Sequence, residues 1–165
     1  MTTSRTILLL LLVATALMLR HYYPQMPDPM AAHFDGSGRA DGYQSRDAFF
    51  LLTGGLMLLV IVIFAGAGWL FRIVPSNLFS LPNRDYWLAP ERRNTTIAFI
   101  TRQMEWFGVG TLMLLAAVLW LAMQANLNPE PTLDSSMMWW LTGLYLIYTT
   151  LWLVRFVSKF RATPL

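Results

Sequence analysis

No cysteine occurs among the 165 residues, so disulfides, thiolate metal sites and thiol nucleophiles are excluded whichever compartment the chain meets. Charge is scarce too. Only 13% of residues are charged against 56% apolar, outside the range of ordinary soluble domains. Histidine occurs twice, as His21 and His33. Phosphate-binding P-loops, HExxH pairs, dinucleotide-binding glycine patterns and nucleophile elbows are absent. Both histidines lie outside or at the edge of the first apolar run, a poor arrangement for holding a haem. No catalytic residue, cofactor or metal is therefore expected, and the chain reads as non-enzymatic.

What is present is long apolar runs. A hydrocarbon core about 30 Å thick needs roughly 20 apolar residues as a helix, with every backbone group hydrogen-bonded inside the segment. Four stretches qualify: 6–23, 48–71, 106–125 and 137–156. None alternates like a barrel strand. The expected fold class is an all-α integral membrane protein, a four-transmembrane-helix bundle forming one domain over residues 1–165, with a small turn-rich outward cap. Arg5, a short apolar run and Ala14-Thr15-Ala16 imitate a secretory signal, but apolar residues continue to Leu19, which favours a retained span.

Charge placement orients the bundle. Arg5, the loop 72–105 and the tail hold nine of the twelve basic residues; Arg20, Arg39 and Arg46 are the other three. The positive-inside rule then puts both termini and the middle loop in the cytoplasm, and the loop 24–47 outside. The net charge of +3 reflects this topology and anionic inner-leaflet lipid, so no nucleic-acid partner is expected.

The outward loop is where polar residues gather. Pro24, Pro27 and Pro29 cannot continue a helix and predict a stiff, extended strip. Met30–Phe34 suits a short strand, while Asp35-Gly36-Ser37-Gly38 and Asp41-Gly42 are turn sequences. Ser45 is a good helix N-cap, with Asp47 in the first turn. Asp35, Ser37 and Asp41 occupy positions 1, 3 and 7 of a calcium loop. Arg39, Ala40 and Arg46 then stand where a ligand, a glycine and a bidentate glutamate are required. His33 with Asp35, Asp41 and His21 has the ligand chemistry of a transition-metal site, although a His-x-Asp pair is common by chance. The better role for His33 is structural, a hydrogen bond to backbone or carboxylate groups beside Asp41. A buried bond to a charged partner would contribute roughly 1.5–3 kcal/mol.

In the middle loop, Pro90-Glu91 predicts the first turn of a helix that runs on into the third span. Tyr86 and Trp87 suit a membrane interface, and with Arg92 and Arg93 they are expected to anchor the loop at the inner leaflet. Arg102 and Glu105 share one helical face. Charges inside a bilayer often mark a pathway, but if Trp106 marks the interface, both sit among headgroups and can snorkel. Small residues at Gly54-Gly55, Gly66-Ala67-Gly68, Gly108 and Gly110 permit close helix approach, with no GxxxG inside a span.

His33-Phe34, Gly38, Asp41-Gly42-Tyr43 and Ser45-Arg46, preceded by the prolines, resemble the signature of a bacterial membrane-domain family of unknown function. That family is related to the immunity protein of the sporulation-delaying peptide toxin (SdpI-like). "LPNRDYWLAPERR" is also similar to a segment of uncharacterised members. The resemblance implies an inner-membrane protein; in the immunity relative, the role is protection against a secreted peptide and sequestration of a repressor at the membrane. The leading expectation is a cap that recognises a peptide, lipid or neighbouring protein through His33, Phe34, Asp35, Gly38, Asp41, Gly42, Tyr43 and Arg46. Two rivals stand beside it: a structural subunit of a larger membrane complex, and a metal-dependent envelope enzyme.

Overall fold

The structure is a computed structural model that describes residues 2–162; residue 1 and residues 163–165 of the expected domain lie outside the described residues. Four long helices form an all-α bundle: α1 (Thr3–Tyr22), α2 (Arg46–Ile73), α4 (Pro90–Asn126) and α5 (Ser135–Arg161). A short helix, α3 (Arg84–Trp87), lies in the middle segment. Each of the four long helices is apolar and long enough to cross a membrane. The expected stretches 48–71, 106–125 and 137–156 lie within α2, α4 and α5, and 6–23 overlaps α1 except for Tyr23, which begins a 3-10 turn.

The helices start where side-chain oxygens can take up free N–H groups. Thr2 accepts from Arg5 N at 3.4 Å, Ser45 from Ala48 N at 3.3 Å and Asp134 from Met137 N at 3.0 Å. Helix α4 instead opens on Pro90, which lacks the donor that would go unpaired there. Its 37 residues extend about 55 Å, longer than a bilayer core, so it continues well past the span expected at 106–125.

Helix α4 is central. It packs against α1 and α2, and α5 packs chiefly on it. Glycines make two of these approaches possible. A Cβ at Gly108 would come within 2.6 Å of Phe64 Cβ, and one at Gly110 within 2.4 Å of Tyr148 Cε1. By contrast, Gly55 and Gly66 face open space. The apolar core joins Leu8, Phe49, Met57, Val109, Leu112 and Met123.

Between α1 and α2 stands the cap. The proline strip is not extended throughout: Tyr23–Gln25 forms a 3-10 turn, because Pro24 at its start has the helical φ that such a turn needs. Strands β1 (Met30–Phe34) and β2 (Ala40–Gln44) then form an antiparallel hairpin. The expected strand lies at β1. Asp41-Gly42, expected as a turn, sits inside β2, and the reversal is made by residues 35–39 alone. Asp35 can complete that reversal with its own side chain, which leaves Asp41 and Gly42 free to pair with β1.

The opposite end carries the middle segment, the start of α1 and the end of α5. Asn83 Nδ2 donates to the carbonyls of Phe160 and Arg161, both at 3.1 Å, and Trp87 Nε1 donates to Phe160 O at 3.0 Å. These bonds satisfy the last carbonyls of α5. Asn83 holds the left-handed conformation, φ 50°, that places it there. Arg93 does the same for α2, donating to Arg72 O at 3.3 Å and Val74 O at 3.0 Å. Glu105 does not snorkel. It is 1% exposed and accepts from Thr2 Oγ1 at 2.8 Å, Ser4 Oγ at 2.5 Å and Arg5 Nε at 2.6 Å. Packing of α1 against α4 is what buries it, while Arg102, three residues away, stays exposed.

Candidate functional site

The hairpin is fastened to the bundle by one buried amide. Met30 and Ala31 of β1 are fully buried, and the backbone of Ala31 lies against Asn126 at the end of α4. Asn126 Oδ1 accepts from Ala31 N at 2.8 Å; its Nδ2 donates to Ala31 O at 2.9 Å and to Ala122 O at 2.8 Å. A second fastening joins the hairpin to the α4–α5 connection. Leu133 N donates to Gly38 O at 2.8 Å, and Arg39 pairs with Thr132 as an isolated bridge.

Inside the hairpin, Asp35 closes the turn. Its Oδ1 accepts from Ser37 N at 2.8 Å, Ser37 Oγ at 2.7 Å and Arg39 N at 3.0 Å. The Ser37 hydroxyl first, and then the Arg39 N–H, hold its carboxyl below the ordinary 3.8. Gly38 is required twice over. Its φ is +86°, and a Cβ there would sit 2.2 Å from Leu133 O. Gly42 is required by its neighbour, since a Cβ would come within 2.9 Å of His33 Cβ.

His33 Nδ1 pairs with Asp41 Oδ1, the partner expected for it. The pair is at the surface, however, with the two side chains 73% and 48% exposed. Asp35 is engaged in its own turn, and among the described residues no three His, Asp or Glu side chains come together in a way that could hold a metal ion. Nor is any hydroxyl hydrogen-bonded to His33 among those residues. Arg46 lies beneath the cap. Its backbone N donates to Asp28 Oδ1 at 3.2 Å, and its guanidinium is 4.7 Å from the centre of the Tyr23 ring.

Beside the hairpin is a cavity of about 340 Å3 shared between cap and bundle. His33, Phe34 and Asp35 line it from the cap; Val118 and Ala122 of α4, with Met138 and Trp139 of α5, line it from the bundle. Of the eight residues singled out by the sequence, these three face the cavity. Gly38, Asp41, Gly42 and Arg46 hold the cap's shape, and Tyr43 stands exposed on β2. Sequence reasoning missed Asn126, Met138 and Trp139. Asn126 leaves a faint signal, a lone amide closing a long apolar run; the other two look like any span residue.

Of the four residues expected at the inner interface, Trp87 and Arg93 are committed to helix ends. Arg92 stacks on Tyr86, 4.0 Å from the ring centre, and donates to its carbonyl at 2.8 Å.

No curated protein and no solved structure matches the chain. Residues 9–58, which include α1 from its second turn, the whole hairpin with all eight cap residues, and the first half of α2, match a domain of unknown function, DUF1648.

Proposed function

We propose that this is a non-enzymatic multi-pass protein of the bacterial inner membrane whose cap faces outward and recognises a peptide at the membrane surface, in the manner of an immunity or sensing protein. The observation that carries the reading is the 340 Å3 cavity. It has apolar walls from two spanning helices and polar groups from a hairpin, which suits an apolar side chain presented on a polar backbone. Trp139, which lines it and is 73% exposed, supplies the aromatic contact area that peptide recognition favours. The orientation follows from the basic residues, nine of which lie on the side away from the cap and three on the cap side. The SdpI-like signature, with its peptide-protective relative, points the same way.

Photo-crosslinking tests it. A benzophenone side chain at Trp139 in living cells is expected to capture a discrete adduct of peptide size from conditioned medium. The adduct should be lost when Ala122→Phe fills the cavity, and no such adduct should form from Trp69, on another helix. Equal labelling at Trp139 and Trp69, or labelling indifferent to Ala122→Phe, would overturn the reading.

A further inference from the structure

At the end away from the cap, α1, α2 and α4 border a cleft of about 450 Å3. Three arginines, one from each helix, line it: Arg5, Arg72 and Arg102. Asn94 and Thr101 of α4 add neutral polar groups. The single carboxylate in the cleft, Glu105, pairs with Arg5. Arg72 and Arg102 have no carboxylate partner among the described residues, and their guanidiniums make no hydrogen bond there. Three cations less one anion leave the cleft with two unbalanced positive charges.

The contrast with neighbouring arginines is informative. Arg92 and Arg93 lie at the same end, and both donate to backbone carbonyls. Arg72 and Arg102 instead border open space. Gly68 lets α2 approach two of the residues that line the cleft, since a Cβ there would come within 2.6 Å of Thr101 Cγ2 and 3.5 Å of Arg5 Nη2. A concave site with low-dielectric walls focuses the field of like charges and raises the local concentration of counter-ions. Guanidinium groups present paired donors that match the oxygens of a phosphate.

We propose that this cleft binds a phosphate group, held by Arg72 and Arg102 with Asn94 and Thr101 as neutral donors, while Glu105 fixes Arg5 at its edge. The same chemistry is offered by the headgroup of an anionic phospholipid and by soluble phosphate.

The test uses the full chain purified in a non-ionic detergent. Native mass spectrometry follows retention of phosphatidylglycerol against phosphatidylcholine, and thermal unfolding is followed in sodium phosphate against sodium chloride at equal ionic strength. One retained phosphatidylglycerol without a phosphate effect supports the site with lipid as the source; an unfolding midpoint raised by phosphate supports it with soluble phosphate as the source. The double variant Arg72→Gln, Arg102→Gln should weaken either by about thirtyfold, the product of two arginine contributions. If it does not fold, Arg102→Gln alone is read in the same way, with a loss of about fivefold. Arg84→Gln, whose arginine pairs with Asp85 outside the cleft, should bind like wild type. The proposal is overturned if neither ligand binds the wild type, if phosphatidylcholine is retained as well as phosphatidylglycerol while phosphate leaves the midpoint unchanged, or if the arginine variants bind within twofold of wild type.

Discussion

Replacing Asn126 by leucine removes three hydrogen bonds made by one buried side chain and should loosen the cap without dismantling the bundle. Two of the lost partners are the N–H and C=O of Ala31, a residue that is 0% exposed, so water cannot readily replace the amide. Each orphaned group costs about 1–2 kcal/mol of desolvation. The third partner, Ala122 O, is a helix carbonyl that keeps its backbone position and loses little. The total is about 2–4 kcal/mol on the equilibrium between docked and undocked hairpin, a rise of roughly 30- to 1000-fold in the open population. Hydrogen exchange on the detergent-solubilised protein reads this directly, through the amides of residues 28–44. The helix amides of α2 and α4 should exchange as in wild type, because core packing and the bonds of Leu133 and Asp134 persist. Cap exchange within threefold of wild type would refute the assignment of Asn126 as the principal fastening. Loosening spread over the whole bundle would refute its confinement to the cap.

Four further expectations concern other parts of the molecule. Because the chain has no cysteine, Ser37→Cys and Ser80→Cys are clean topology probes; an impermeant thiol reagent should label the first and not the second in intact cells, and the reverse pattern would invert the proposed orientation. His33→Ala should cost under about 1 kcal/mol, since its pair with Asp41 is exposed, and a proteolytic sensitivity matching that of Asn126→Leu would contradict this. Glu105→Gln keeps the shape but removes the charge that accepts from Thr2, Ser4 and Arg5, so a loss of about 2–3 kcal/mol is expected in thermal or denaturant unfolding; an unchanged midpoint would rule out a role for Glu105 in joining α1 to α4. Asp35 has a folded-state value below 3.8, so its stabilisation is complete above that pH and is lost as pH falls through the lower folded value; cap exchange followed downward from neutral pH should show this acid limb in wild type and lack it in Asp35→Ala.

The sequence by itself determined the bundle. Apolar runs of bilayer length leave the backbone one economical solution, helices, and each of the four runs coincides with one of the four long helices observed, the first to within a residue. Local chemistry was equally legible at Ser45, which caps α2, at Pro90, which opens α4, and at β1. Each of these depends on residues close in sequence.

What only the tertiary structure decided is which distant groups meet. Asn126 and Ala31 are 95 residues apart, and Glu105 lies 101 residues from Ser4. Nothing in either neighbourhood encodes the other, so Glu105 reads as a surface charge until α1 packs on α4 and removes its water. Asp41-Gly42 reads as a turn for the same reason: its residues permit one, but pairing with β1 brings His33 against Gly42 and makes a strand. The cavity beneath the cap and the arginine cleft at the other end are both bounded by side chains from several helices, and such concavities exist only once the packing angle between helices is set.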